Sequence, residues 1–523
     1  MTRSFFLTLA AVCITMFTQA QSRVFKQVSE EISSDMDAIT QDGAVVGYVV
    51  LTKLEKIQED SFNYKLSLMD ENLNDIGSIS MKDINMNLMS VAFEQDVLCL
   101  SYYKSTISGA SFKNKRQYKE AKEDAVNAIM NQFLSLDGKI INTHTFSIVS
   151  KATSARGGFY GSTGKVFAFA GLKNGGRVRN IPGKGFCFLY GDDEKSELFS
   201  YNTHGDLLWK KDLPRHYSYE MVPSSEVIYL LCANEAYRPM DLNRFSVLDG
   251  AKAPVYVLQD KEENKFEVLN FEMNETTGKP YIAGSIVKKG DKYSYNSSRG
   301  VFKGYYKGVY SLTLDGMKKG DIKENITYWS GGELKPEIST RGRIIENDGV
   351  PNFKTATQDS MGNTYFAGTL LQRKLRTGTV IASVVTLPLL VVPAWLLAGS
   401  GTHKFRLTDG VVVKQGNKGS LTKVQTLEKP GTAYVSAKTP MSVFEGLNEY
   451  FTIYDPATKS DVIVYSTEKN YGIYSISKNK ITRTIPTKVA KSTLRVFGAK
   501  EGHIMVVENN TKEKYTKMSI EAI

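Results

Sequence analysis

Asp359-Ser360-Met361-Gly362-Asn363-Thr364-Tyr365-Phe366-Ala367-Gly368-Thr369 decides the fold, because Asn274-Glu275-Thr276-Thr277-Gly278-Lys279-Pro280-Tyr281-Ile282-Ala283-Gly284-Ser285 reads the same way. Each is a polar turn whose first glycine suits positive φ, followed by a short apolar strand that ends on small residues. The second half recurs in Thr163-Gly164-Lys165-Val166-Phe167-Ala168-Phe169-Ala170-Gly171, and weaker copies fall at 97–102, 227–233, 462–465 and 503–507. Internal repetition on this scale signals an architecture of stacked or radial units.

A second half-motif follows most of these copies: an alternating strand that runs into an Asp, Asn or Gly turn. It occupies residues 64–70, 133–139, 198–205, 309–316, 404–410 and 473–477. Period-two alternation closed by Asp-Gly is a strong hairpin signal. Paired half-motifs repeat roughly every 50 to 95 residues, giving seven or eight pairs between positions 45 and 520. Two hairpins make a four-stranded sheet, and radial repetition of such sheets predicts an all-β propeller of about seven blades, six to eight. An open β-sandwich array is the rival architecture.

The stretch 359–369 resembles the SBBP-type β-propeller repeat, Asp-x-x-Gly-Asn-x-Tyr-x-x-Gly, with a partial match at 274–285. The chain also resembles large exported proteins of unknown function that carry such propellers. The resemblance implies a blade signature and brings no catalytic residues with it.

The N-terminus reads as an export signal: Arg3, an apolar run from Phe5 to Phe17, then Thr18-Gln19-Ala20 before Gln21. Cleavage is expected after Ala20, leaving 21–523 as the propeller domain. A lipoprotein would acylate Cys13, but Val12 is bulkier than the small residue such processing favours. The mature chain keeps Cys99, Cys187 and Cys232, each in an apolar β-like run and without CxxC spacing. These predict core filling rather than disulfides or zinc. The chain carries a formal charge of +11, and residues 401–523 hold 19 Lys and Arg against 11 Asp and Glu. Such a surface attracts anionic headgroups or polysaccharide, or simply aids solubility. Nucleic acid is not an expected partner, since no recognised binding module is present.

Two insertions break the repeat. Within 112–133, Tyr118, Ala121, Ala125, Ile129 and Phe133 fall at helical spacing, predicting a helix of about four turns packed on the propeller's outside. Residues 379–399 contain no charge, a length sufficient to span a bilayer as a helix. Repeat strands lie on both sides of the segment, Arg373, Lys374 and Arg376 precede it, and Pro388 and Pro393 interrupt it. It is therefore expected to dip into a membrane surface or dock on a partner, through the basic cluster with Leu387, Leu389, Leu390, Val391, Val392, Trp395, Leu396 and Leu397. Self-burial against the domain is the alternative.

Catalytic signatures are scarce. The five histidines are dispersed, and residues 157–165 fail the Walker pattern, with Phe159 at a required glycine and Val166 at the required Ser or Thr. Residues 70–81 fail the calcium-loop pattern at Asp75 and Met81, leaving a hairpin turn. No catalytic, cofactor-binding or metal-binding residue is singled out, and no cofactor is expected. A loop bearing Tyr293, Tyr295, Arg299, Tyr305 and Tyr306 could hold a glycan or peptide by stacking, or be the tip of a long hairpin. The expected function is an envelope-associated binding or scaffolding propeller, with an envelope protein or glycan as partner. The alternative is a propeller hydrolase or lyase acting on polysaccharide. Two channel-facing carboxylates with an Arg or His in a deep pocket would favour the enzyme.

Overall fold

The Asp359 turn closes on itself. Its carboxylate accepts from the Met361 and Asn363 amides at 2.9 Å each, and Gly362 takes φ +80°. Asn274, Asp260, Asn202 and Asp70 build turns by the same side-chain-to-backbone bonds. The calcium-like stretch at Asp70 is accordingly a hairpin turn.

A computed structural model describes residues 21–26, 33–41, 44–58, 61–107, 115–149, 177–192, 194–214, 218–233, 239–289, 306–331, 337–375, 403–428, 434–435 and 450–523. These turns join antiparallel strands into eight sheets. Seven are in chain order: 33–84, 86–147, 177–213, 218–257, 265–328, 350–427 and 450–486. The eighth is completed from the other end of the chain. Gln21–Lys26 pairs with Tyr515–Ala522 over six residues, from Gln21 opposite Ile520 to Lys26 opposite Tyr515. Eight apolar clusters each join two adjacent sheets, the last packing Tyr48, Val50 and Met69 of blade 1 on Met505 and Ile520 of blade 8. The ring is closed, an eight-bladed propeller with first strands innermost.

The first half-motif is the turn between first and second strands plus the second strand, and the second half-motif is the third strand. Both strands are buried on two faces: on Asn127–Ser135, Ile129 and Phe133 pack towards blade 3 while Met130 and Leu134 pack towards blade 1. The expected helix over 112–133 is therefore corrected. Only α1, Lys115–Glu123, is helical, and Ile129 and Phe133 belong to that strand. Two buried faces abolish period-two alternation, which is why the apolar spacing imitated a helix. The Asp409-Gly410 turn is corrected too. His403–Gln415 runs straight through it, pairing Gly410 with Thr369 and Leu427, and the turn lies at Gly416–Gly419. The repeat copy at 163–171 lies outside the described residues.

Cys99, Cys187 and Cys232 are unpaired and buried in these cores. Connector lengths differ between the two ends of the ring. Between described strands, links from first to second and from third to fourth never exceed nine residues, whereas all six links of 18 residues or more are at the opposite end. Residues 376–402 are one of those six. Among the described residues no helix is long and apolar enough to cross a membrane.

Candidate functional site

The innermost strands end around a central channel, and two adjoining cavities open at the short-turn end. One, of about 320 Å³, draws Glu272 and Tyr281 from blade 5, Thr452, Tyr454 and Asp461 from blade 7, and Ala499 and Glu501 from blade 8. The other, of about 360 Å³, gathers Arg177, Arg179 and Asn180 from blade 3, Glu220 from blade 4 and Phe271 from blade 5. Glu272 and Met273 line both.

A bulge between Val268 and Asn270 sets the strand that carries Glu272. The Asn270 amide donates to Glu272 Oε1 at 3.1 Å, while its carbonyl accepts from Thr355 Oγ1 at 3.2 Å and Ala356 N at 3.1 Å, fixing blade 5 to blade 6. The Tyr281 hydroxyl donates to the same Glu272 carboxylate, and the Thr357 hydroxyl donates to Asp461. Glu272 and Asp461, each held by its own hydroxyl donor, line one cavity, and the Thr357 bond ties blade 6 to blade 7. Burial pushes both carboxyls above the ordinary carboxylate range, against the lowering influence of these hydroxyls. The Asp461 charge raises Glu272 further. Burial, then the Glu272 carboxylate, holds the Tyr281 phenol far above its usual value.

Across the channel, Arg177 and Arg179 flank the buried Val178 on strand Arg177–Ile181. Period two thus puts both guanidinium groups on the channel side. Both side chains are exposed at the channel, yet the protein around Arg179 desolvates it and lowers its pKa, with the Arg177 charge adding repulsion. Cys187 on the same blade, Asp37 of blade 1 and Glu220 of the adjacent blade 4 partly offset this. Asp37 is itself raised by burial. Deeper in, burial raises Glu267, opposed by the Tyr306 hydroxyl and the Lys354 charge. Among the described residues no group of three His, Cys, Asp or Glu side chains is placed to hold a metal.

Of the residues singled out by sequence, Tyr306 starts the third strand of blade 5 and bonds Glu267. Arg373 and Lys374 sit on the second strand of blade 6, opposite Phe405 and Lys404. Arg376, Leu387, Leu389, Leu390, Val391, Val392, Trp395, Leu396, Leu397, Tyr293, Tyr295, Arg299 and Tyr305 lie outside the described residues. Sequence reading missed Glu272, Asp461, Arg177 and Arg179. The Arg-Val-Arg alternation was the one local signal available.

The class is therefore an eight-bladed β-propeller with a charged channel mouth. Residues 1–151 match a family of unknown function, DUF6770. No curated protein matches. Similar solved structures include the Dos1 propeller, 8% identical with a TM-score of 0.42 over 96% of this chain and 95% of that one. The WD40 domain of SCAP from fission yeast is 10% identical, with a TM-score of 0.36 over 95% and 97%. The dihydro-heme d1 dehydrogenase NirN is 9% identical, with a TM-score of 0.36 over 84% and 64%.

Proposed function

We propose that the protein is an exported binding propeller that takes a saccharide at the short-turn mouth of its channel and performs no chemistry on it. The observation that carries this reading is the pair of adjoining cavities that share Glu272: one sets Glu272 and Asp461, held by Tyr281 and Thr357, beside Tyr454, and the other sets Glu272 beside Phe271. Carboxyl groups that accept and donate to vicinal hydroxyls, beside rings that cover a sugar face, are the chemistry of saccharide recognition.

The pair of carboxylates beside two arginines favours a second reading, a hydrolase or lyase. Against it, acid–base catalysis needs environments that drive two carboxyls apart, one ionised and one protonated. Here burial moves both in the same direction. Incubation with neutral and acidic oligosaccharides, followed by calorimetry and mass spectrometry, separates the readings. Binding without mass change is expected, and new cleavage products abolished by E272Q or D461N would establish the enzyme instead.

Export rests on the N-terminal pattern of Arg3, the apolar run 5–17 and Thr18-Gln19-Ala20, and cleavage after Ala20 would leave all six described ladder pairs of Gln21–Lys26. The signature at 359–369 is assigned to the SBBP-type repeat on its residue pattern. For 379–399 we hold to contact with a membrane surface. Its supporting stem is the extended hairpin from Leu371 opposite Leu407 to Leu375 opposite His403. Deleting 374–399 is expected to move the protein from the membrane pellet to the soluble fraction; continued pelleting refutes the contact.

A further inference from the structure

We infer that the channel ligand is an acidic glycan whose uronate carboxylate is gripped by Arg177 and Arg179. This rests on the saccharide reading above and names its substrate class. Two guanidinium groups two residues apart on one strand point into one cavity, and among the described residues no carboxylate forms an ion pair with either. Among the described residues, the one hydrogen bond made by their guanidiniums is from Arg179 Nη1 to the adjacent Val178 carbonyl at 3.3 Å. The fold thus keeps two like charges together at a cost, with their donor forks available. Planar forks of this kind match a carboxylate bidentately.

The same cavity supplies what the rest of a uronate needs. Phe271 offers an apolar surface for a sugar ring, and Asn180 lies on the arginine side. Glu272 stands at the junction with the second cavity, where Asp461 and Tyr454 can meet the hydroxyls of an adjoining sugar. The two spaces together fall in the size range of small-molecule sites and accommodate a short oligosaccharide. A net charge of +11 favours approach of a polyanion.

The test is titration calorimetry of the full mature chain with trigalacturonate, with neutral galactotriose, and with inorganic sulfate. Trigalacturonate is expected to bind at least about tenfold more tightly than galactotriose, the loss expected from one charge-assisted contact. R177A and R179A should each remove about that factor for trigalacturonate and leave galactotriose unchanged, while R179K should lose less than R179A. Unaltered melting of these solvent-facing variants confirms that the fold is kept. Equal affinity for the acidic and neutral sugars overturns the uronate inference and leaves the saccharide reading standing. Sulfate binding as tightly as trigalacturonate also overturns it, reducing the site to an anion hole. Binding of neither sugar overturns both readings.

Discussion

Gly368, the last glycine of the blade signature, should be irreplaceable for a steric reason alone. A Cβ built there would lie 2.1 Å from the Asn352 carbonyl oxygen and 2.5 Å from Phe353 Cα. Both are backbone atoms of the first strand of blade 6, Val350–Gln358, which bulges between Phe353 and Thr355 against this position. Restoring even a 3.0 Å contact requires that strand to retreat by about 0.9 Å. The strand also carries Thr355, Ala356 and Thr357, which hold Asn270 and Asp461. Overpacking of this order costs about 3 kcal/mol. Gly362 in the same signature is the matched control: its φ is +80° and its nearest neighbour would be Asn417 Cβ at 3.9 Å. G362A therefore carries only the left-handed backbone cost, about 1 kcal/mol. With an unfolding entropy of about 1 kcal/mol/K for roughly 500 residues, a cooperative melt should fall by about 3 °C for G368A and about 1 °C for G362A. Calorimetry on both variants decides. If G368A melts within 1 °C of the parent, or above G362A, the close-approach account is wrong.

Because burial raises Glu272 and Asp461, the folded chain binds more protons than the unfolded chain just above the ordinary carboxylate range. Stability contributed by their protonated forms is present at low pH and is lost as pH rises through the raised folded values. E272Q/D461N should therefore flatten, though not abolish, the fall in melting temperature as pH rises above the ordinary carboxylate range, since Glu267 and Asp37 shift the same way; a slope parallel to the parent's refutes this. Removing 21–26 should lower the melting temperature and promote self-association, because Tyr515–Ala522 becomes an open edge and the 2.7 Å Arg23–Asp75 pair is lost; light scattering identical to the parent's would contradict it. Arg244 is 1% exposed and donates to the carbonyls of Gly316, Lys318 and Pro254 at 3.1, 2.7 and 3.2 Å, tying blade 4 to blade 5. R244M strands these carbonyls and should cost about 3 kcal/mol in a urea titration, with a loss under 1 kcal/mol refuting the tie.

The parts of the propeller legible in sequence are those buried between blades. Second and third strands such as Val97–Ser105 and Ser196–Tyr201 stand out because both faces pack against neighbouring sheets, and turn residues such as Asp359 and Asn202 punctuate them. First strands were harder to see. Lys265–Asn274 mixes channel carboxylates with core groups such as Phe266, and its bulge breaks the alternation. The N-terminal strand of blade 8 carries no repeat signature, since it is an outer edge recruited from the far end of the chain. The site was least legible of all. Arg179, Glu272 and Asp461 are separated by three blades of sequence or more in total and meet only because the ring closes, so no local spacing records their proximity.

The unequal ends of the ring connect the two parts of the proposal. Every long connector leaves the end opposite the two cavities, including the one that contains 379–399. Contact of that segment with a membrane would leave the short-turn mouth, with Arg177, Arg179 and Glu272, directed away from the surface. A polymer too large to pass between protein and bilayer could then still reach the channel. Anchoring and ligand capture would not compete for one face, and deletion of 374–399 should release the protein from membranes while leaving its calorimetric affinity for trigalacturonate within twofold of the parent's. A large loss of affinity on that deletion would mean that the insertion reaches the binding mouth, contrary to the strand topology.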